Sequence, residues 1–325
     1  MAVITEVETR DARFPLKPGE GVDAVHREPV YSYAVTRLRA DGGATGTGLA
    51  FTLGGGNQLV CQAIELLSDR MVGRDIDELM SQWGIVAREL ADHPQMRWLG
   101  PHKGVVHLAL SSITNACFDL WAKTHGVPLW RLLIDLSPSV LVDTLDLSYL
   151  EDELTRDEAI ELIETNRADR DQRMGVIQSG YPGYDTSVGW FTYTDELIVQ
   201  NAQHALANGF TAMKLKVGST DTLRDLRRAE LVREAVGDAT RLMFDANQAW
   251  SMPTALEMCR SLADLNAYWI EEPTHPDDVL GHQELARAIA PAAIALGEHV
   301  PNRVMFKNFM LAHAMQFVQV DAVRV

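Results

Sequence analysis

Met213-Lys-Leu-Lys-Val-Gly218 is the stretch on which the reading of this chain turns. Lys214 and Lys216 stand two residues apart in a short apolar run, so on a β-strand both side chains leave from one face. Charged residues then recur at a steady interval. Asp245 sits in Phe244-Asp-Ala-Asn-Gln248, Glu271 in Trp269-Ile-Glu-Glu-Pro273, Glu298 directly after Gly297, and Asp321 in Gln319-Val-Asp-Ala322. From Lys216 onward the steps are 29, 26, 27 and 23 residues. Eight strand–helix units take roughly 250 residues in a barrel, so each step is about one unit long. Every step therefore carries the next charged group to the same rim.

The surrounding sequence keeps that rhythm. Strands are expected at 187–193, 211–217, Arg241–Asp245, Ala267–Glu271, 292–297 and 316–320, with helices at 195–208, 223–236, 254–265, 281–290 and 304–314. Strands that alternate with helices and are apolar on both faces predict a parallel sheet. Residues 1–135 lack the alternation. There, 3–7, 31–38 and 46–51 read as half-buried strands, and Asp41-Gly-Gly43 as a hairpin turn. Helical patterns follow at 57–71, with Leu59, Ala63, Leu66 and Leu67 on the apolar face, and at 104–125, with Val106, Ile113, Ala116 and Leu120. Residues 150–180 are polar and predict a surface helix, with Thr155 and Asp157 as candidate caps and Gly180-Tyr-Pro-Gly183 as its end. The expected organisation is α/β: an N-terminal α+β domain, 1–135, followed by a (β/α) barrel part, 136–325.

Composition narrows the partners. The chain has 325 residues, 46% of them apolar, and a formal net charge of −16. Such an excess of acid argues against a nucleic-acid or anionic-membrane partner. No continuous apolar run reaches the length that crosses a bilayer, and the N-terminus lacks a basic segment followed by an apolar one. The three cysteines, Cys61, Cys117 and Cys259, are scattered, which suggests free thiols and a cytoplasmic location.

The charged set has a chemistry. Two ammonium groups on one inward face disfavour each other's protonation, so one lysine is expected to serve as a neutral base. A strand edge with two exposed lysines fits the same pattern, and Met213, Leu215 and Val217 do not decide between them. Asp245, Glu271 and Glu298 offer oxygen donors only, which suits Mg2+ rather than zinc. Each acid alone also fits a helix cap or a surface carboxylate. Glu272 reads as a salt-bridge or loop residue. His275 and His282 read as loop-capping or exposed, and His299 is expected to face the helices. A metal with a lysine base suits removal of the proton next to a carboxylate.

Together, Lys214-Leu-Lys216, Asp245-Ala-Asn-Gln248, Trp269-Ile-Glu-Glu-Pro-Thr274, Gly297-Glu298 and Val320-Asp321 resemble the mandelate racemase branch of the enolase superfamily. Arg97-Trp-Leu-Gly-Pro101, Gly104-Val-Val-His107, Asp119-Leu-Trp-Ala-Lys123, Gly180-Tyr-Pro182 and the segment Pro273–His282 extend the resemblance, within that branch, toward the L-fuconate dehydratases. The resemblance implies a TIM-like (β/α)7β barrel with an N-terminal α+β capping domain, a Mg2+ cofactor and a homo-oligomer. It implies dehydration of an acid sugar, L-fuconate first, to a 2-keto-3-deoxy acid.

Residue by residue, it gives Lys216 the role of base at C2 and places Lys214 on the substrate carboxylate. Asp245, Glu271 and Glu298 become the Mg2+ ligands. Gly21, Val22, Asp23 and Tyr31 fall where the cap closes over the sugar, and Trp98 is expected at the same pocket. Asp321 becomes the partner of a general-acid histidine one unit beyond Val325. The expectation is therefore a barrel incomplete at its C-terminal end and without that histidine. The alternatives are another acid-sugar dehydratase or an epimerase of the same branch, or an inactive or scaffolding chain.

Overall fold

The computed structural model describes residues 1–100 and 102–324. Pro101 and Val325, both named above, lie outside the described residues. Three antiparallel strands come first: β1 (Ile4–Pro15), β2 (Val30–Ala40) and β3 (Thr45–Thr52), in the order β1-β2-β3. In β2 burial alternates strictly, with Ser32, Ala34, Thr36, Leu38 and Ala40 inward. The Asp41–Gly43 turn joins β2 to β3 as expected, with the Gly43 N–H donating to Ala40 O at 2.9 Å. β1 runs well past the expected 3–7. Its polar second half, Glu8 to Pro15, is held by the ladder to β2 rather than by apolar alternation.

The 20-residue helix Val105–Thr124 lies across this sheet. Gly46 and Gly48 on β3 make that approach possible: a Cβ on either would overlap the carbonyls of Ala116 or Ser112. By length and composition this helix is apolar enough to cross a membrane, which the sequence reading had excluded. Val106, Ile113 and Leu120 are fully buried in the domain's own core, so it serves here as a core helix. The helix Asn57–Ser68 packs beside it on Val60, Ala63, Ile64 and Leu67, whereas Leu59 and Leu66 are exposed. Burying such a side chain contributes about 2 kcal/mol, so the true apolar face is the one that meets the sheet.

The polar segment divides into two helices, Arg156–Asn166 and Arg170–Ser179. Thr155 caps the first through a reciprocal box with Glu158, while Asp157 lies in its first turn and caps nothing. Gly180, at φ 93°, ends the second.

Six parallel strands follow in sequence order: β4 (Asp185–Gly189), β5 (Ala212–Lys216), β6 (Arg241–Asp245), β7 (Ala267–Glu271), β8 (Ala293–Leu296) and β9 (Phe317–Val318). Helices Asp195–Ala207, Thr222–Val236, Met252–Ala263, Val279–Ile289 and Arg303–Leu311 connect them. This is the barrel-type parallel α/β architecture expected from the sequence. The outward residues of the strands form one core with the helices, and Met243, Trp269, Ala293 and Ala295 pack together on the inner face that also carries the charged strand ends. The Asp321–Arg324 turn returns to the N-terminal domain: Ser111 Oγ and Asn115 Nδ2 donate to Ala322 O, and the Phe51 N–H donates to Val323 O.

His107 lies on the long helix with both ring nitrogens shut from solvent. Burial first, then His102 and Arg303, lower its pKa from an ordinary 6.5 to about 4. The unfolded chain thus takes up this proton more readily than the folded one. Stability from a neutral His107 is fully present above pH 6.5 and is lost as pH falls toward about 4. His107→Phe should flatten urea-unfolding free energies over that window. An unchanged pH slope would remove His107 from the account.

Candidate active site

Parallel register builds the site. Lys216 is paired with Asp245, and Asp245 with Glu271, so the ends of β5, β6 and β7 form one row. Lys216 Nζ donates to Asp245 Oδ2 at 2.6 Å and to Asn247 Oδ1 at 3.0 Å. Lys214 Nζ donates to Glu271 Oε1 at 2.8 Å and stands 3.2 Å from Asp245 Oδ2. Asp245 is wholly buried, and Glu271, Lys214 and Lys216 are nearly so. The alternative of two exposed lysines is thereby overturned.

The expected neutral lysine is not found in this arrangement. Burial pulls both lysines down, but Asp245, joined by Glu271 at Lys214, more than offsets it, and both pKa values rise. The sequence argument counted the second ammonium but not the carboxylates that each Nζ reaches. Burial alone would raise Asp245, yet the two lysines hold it below the usual carboxylate range. Glu271 moves up, through burial and then the Asp245 charge, against the pull of Lys214. Trp269 Nε1 and Gln319 Nε2 also donate to Glu271 Oε2, at 3.2 and 3.0 Å.

Glu298 follows β8 and turns to Arg324, whose Nη2 donates to Oε1 at 3.1 Å. The same guanidinium pairs with Asp321 at 3.2 Å and lies over the Phe51 ring. Glu272 behaves as the sequence suggested, in an ion pair with His299 at 3.1 Å, and Gln248 Nε2 donates to the same carboxylate. His299 is therefore held against the loops after β6 and β7. His282 departs from its expected exposure: it is fully buried, edge-on to Phe309.

As they stand, no three Asp, Glu, His or Cys side chains among the described residues converge as a metal cage. Asp245 Oδ2 and Glu271 Oε1 face the lysines, their other oxygens accept from the Asn247 N–H and from Trp269 and Gln319, and Glu298 Oε1 accepts from Arg324. The donor chemistry nevertheless fits a hard cation. All three candidates are carboxylates on consecutive strand ends, and the inner two are shielded from water.

The expected cap residues divide. Gly21, Val22 and Asp23 are buried in the loop between β1 and β2. Asp23 is consumed within that loop, where its carboxylate accepts the Val25 and His26 N–H groups and pairs with His26 at 2.9 Å. Tyr31 lies within the electrostatic reach of Lys216 and Glu298. Trp98 is fully exposed on the short 3-10 helix Pro94–Leu99. A tryptophan beside proline and glycine gives no sign of which way it faces.

Several site residues escaped the sequence reading. Asn247 lay inside a quoted motif and was left unread, although its left-handed φ of 45° is one that Asn tolerates. The Tyr184 and Trp190 rings lie 5.8 and 5.7 Å from Lys214 Nζ and Lys216 Nζ. They flank β4, whose strand was expected two residues late, and no charge marked them.

Comparison with known proteins places this geometry. Residues 4–133 match the mandelate racemase/muconate lactonizing enzyme N-terminal domain, and residues 197–325 match the enolase C-terminal domain-like family. The chain is 41% identical over 327 residues to human mitochondrial enolase superfamily member 1, covering 99% of this chain and 74% of that protein. The crystal structure of that human protein superposes with a TM-score of 0.96, over 99% of this chain and 74% of the other. An L-galactonate dehydratase from Hypocrea jecorina is 39% identical over 328 residues, covering 99% of this chain and 73% of its own length. The Salmonella typhimurium L-talarate/galactarate dehydratase, solved with Mg and L-lyxarohydroxamate, is 27% identical with a TM-score of 0.75, over 100% of this chain and 72% of the other. The chain belongs to the mandelate racemase/muconate lactonizing enzyme branch of the enolase superfamily.

The buried charge row makes a prediction about stability. Asp245→Asn leaves two lysines without their shared anion, and breaking such a pair costs about 3 kcal/mol. Urea unfolding with a chelator present should show that loss, and adding Lys214→Met should recover part of it. Equal midpoints for wild type and Asp245→Asn would mean that the row is not a coupled unit.

Proposed function

We propose that this chain carries the metal-binding and proton-abstracting part of a Mg2+-dependent acid-sugar dehydratase, a carbon–oxygen lyase acting on L-fuconate or L-galactonate. The observation that carries the reading is the buried row of Lys214, Lys216, Asp245 and Glu271 at the strand ends. The 39% identity to an L-galactonate dehydratase supports the substrate class. L-Fuconate is 6-deoxy-L-galactonate, so the two candidates share every centre from C2 to C5 and differ only at C6. The proposal takes residues 1–135 as the cap and the part from 136 onward as the barrel.

In this reading Asp245, Glu271 and Glu298 hold Mg2+, which when bound draws charge from the substrate carboxylate and acidifies the proton on C2. Lys214 binds the same carboxylate, with its Nζ at the centre of the row. Lys216 removes the C2 proton. It is an ammonium in the present arrangement, held so by Asp245. Once Asp245 serves as a ligand, burial and the like charge of Lys214 are left, and both favour the neutral amine. Asn247 Oδ1 keeps Nζ aimed meanwhile. Departure of the 3-hydroxyl as water needs a proton; the resemblance assigns that proton to a histidine outside residues 1–325, with Asp321, here paired with Arg324, as the acid that would orient it. The product enol then tautomerises to a 2-keto-3-deoxy acid.

The test is turnover of both sugars, followed by keto-acid formation and by C2 exchange in D2O. Lys216→Ala should lower both by two to four orders of magnitude, about the contribution of a positioned base. An apolar C6 site would keep kcat/KM for the two sugars within about 100-fold, whereas a site built to bind the 6-hydroxyl would separate them by about 10^4-fold or more. Undiminished exchange in Lys216→Ala would refute its role, and inversion at C2 without loss of water would identify an epimerase instead.

A further inference from the structure

The cap loop meets the barrel chiefly at one short segment. Trp190–Tyr193 follows β4, and the Phe191 N–H donates to Val22 O at 3.0 Å while Thr192 Oγ1 donates to Gly19 O at 2.8 Å. Phe191 itself is buried, and two guanidinium groups lie against its ring. Arg27 of the cap loop is 4.9 Å from the ring centroid, and Arg224 of the helix Thr222–Val236 is 5.2 Å away. Arg224 Nη2 also donates to Phe191 O at 2.5 Å. Ala24 of the loop abuts the turn just past Lys216: a Cβ built on Gly218 would lie 2.7 Å from the Ala24 Cβ.

We propose that Phe191, gripped between Arg27 and Arg224, is a positioning residue that latches the loop of residues 19–27 over Lys216. Several observations converge on this. The loop is internally braced, since Asp23 accepts from Val25 and His26. Like-charged arginines repel, yet both approach one buried ring, whose negative faces attract cations. The neighbouring Trp190 faces the other way, with its ring 5.7 Å from Lys216 Nζ, and its carbonyl accepts from the buried Arg228 at 2.9 Å. One turn of chain therefore carries both the aromatic wall beside the lysine and the seat of the lid. The helix Thr222–Val236 fixes both, through Arg224 on Phe191 and Arg228 on Trp190 and Lys216.

The location of the site rests on the function proposed above, but the test needs no substrate. Backbone hydrogen exchange of the ligand-free protein is compared for wild type, Phe191→Leu, Phe191→Tyr and Arg27→Met. Phe191→Leu keeps the apolar volume and loses the ring, while Arg27→Met changes an exposed side chain. Both should speed exchange of the loop amides at 19–27 by about tenfold and leave β5, β6 and β7 protected. Phe191→Tyr should restore wild-type rates. Unchanged loop exchange in Arg27→Met and Phe191→Leu, with the strands intact, overturns the proposal. If Phe191→Leu loosens the strands as well, its fold has been damaged and Arg27→Met alone decides. A loop that exchanges faster, with no dehydratase activity on any sugar, would leave the latch standing and refute the functional reading.

Discussion

The Asp245 carboxylate, wholly buried between two lysine ammonium groups at 2.6 and 3.2 Å, is the constraint on which the rest of this structure depends. A lone charge in that position would cost several kcal/mol. It is tolerated because Glu271 and the two lysines complete a row of two negative and two positive charges. That balance holds only while β5, β6 and β7 keep their register, since a slip of one residue would turn the lysines toward the helices. Each helix that covers the outer face therefore also holds the charges level. The buried Asp225 works the same way, accepting from the Gly218 and Ser219 N–H groups just past Lys216.

Much of the barrel was legible because its strands are short, apolar and punctuated. β6 and β7 match their expected bounds residue for residue. The strands at either end were read less well. β4 lies two residues earlier than expected at its start and ends well before Tyr193, because Trp190–Tyr193 leaves the ladder to seat the cap loop. β9 shortens to Phe317–Val318, the two residues that pair with β8. In the cap, helices such as Ile76–Met80 and Trp83–Ala91 escaped notice, being too short to show a period.

The site was legible as spacing and illegible as pairing. Near-equal intervals place Lys216, Asp245, Glu271 and Glu298 at one rim, and no interval says which charge reaches which. The protonation of the lysines was misjudged for that reason. Arg324 could not have been anticipated as the partner of Glu298, because the contact depends on the final turn folding back over Phe51. Asp23 illustrates the converse. An acid in a glycine-containing loop suggests a ligand group, yet its nearest donors are the N–H groups two and three residues on, and local geometry claims it first.

These features divide the labour of the molecule. The charge row is dry, in register and braced by helices, so it cannot adjust to different substrates without losing its balance. Whatever distinguishes one acid sugar from another must then be read by groups outside the strands. On the proposed function, those groups would come from segments far apart in sequence: the loop around Gly21 and the residues Tyr31 and Trp190. They meet the strands through single hydrogen bonds and ring contacts rather than through a sheet. Contacts of that kind can be exchanged one at a time at small cost. If the proposed function holds, a difference confined to C6 of a sugar acid, remote from the proton on C2, would be read by this outer layer and leave the row untouched.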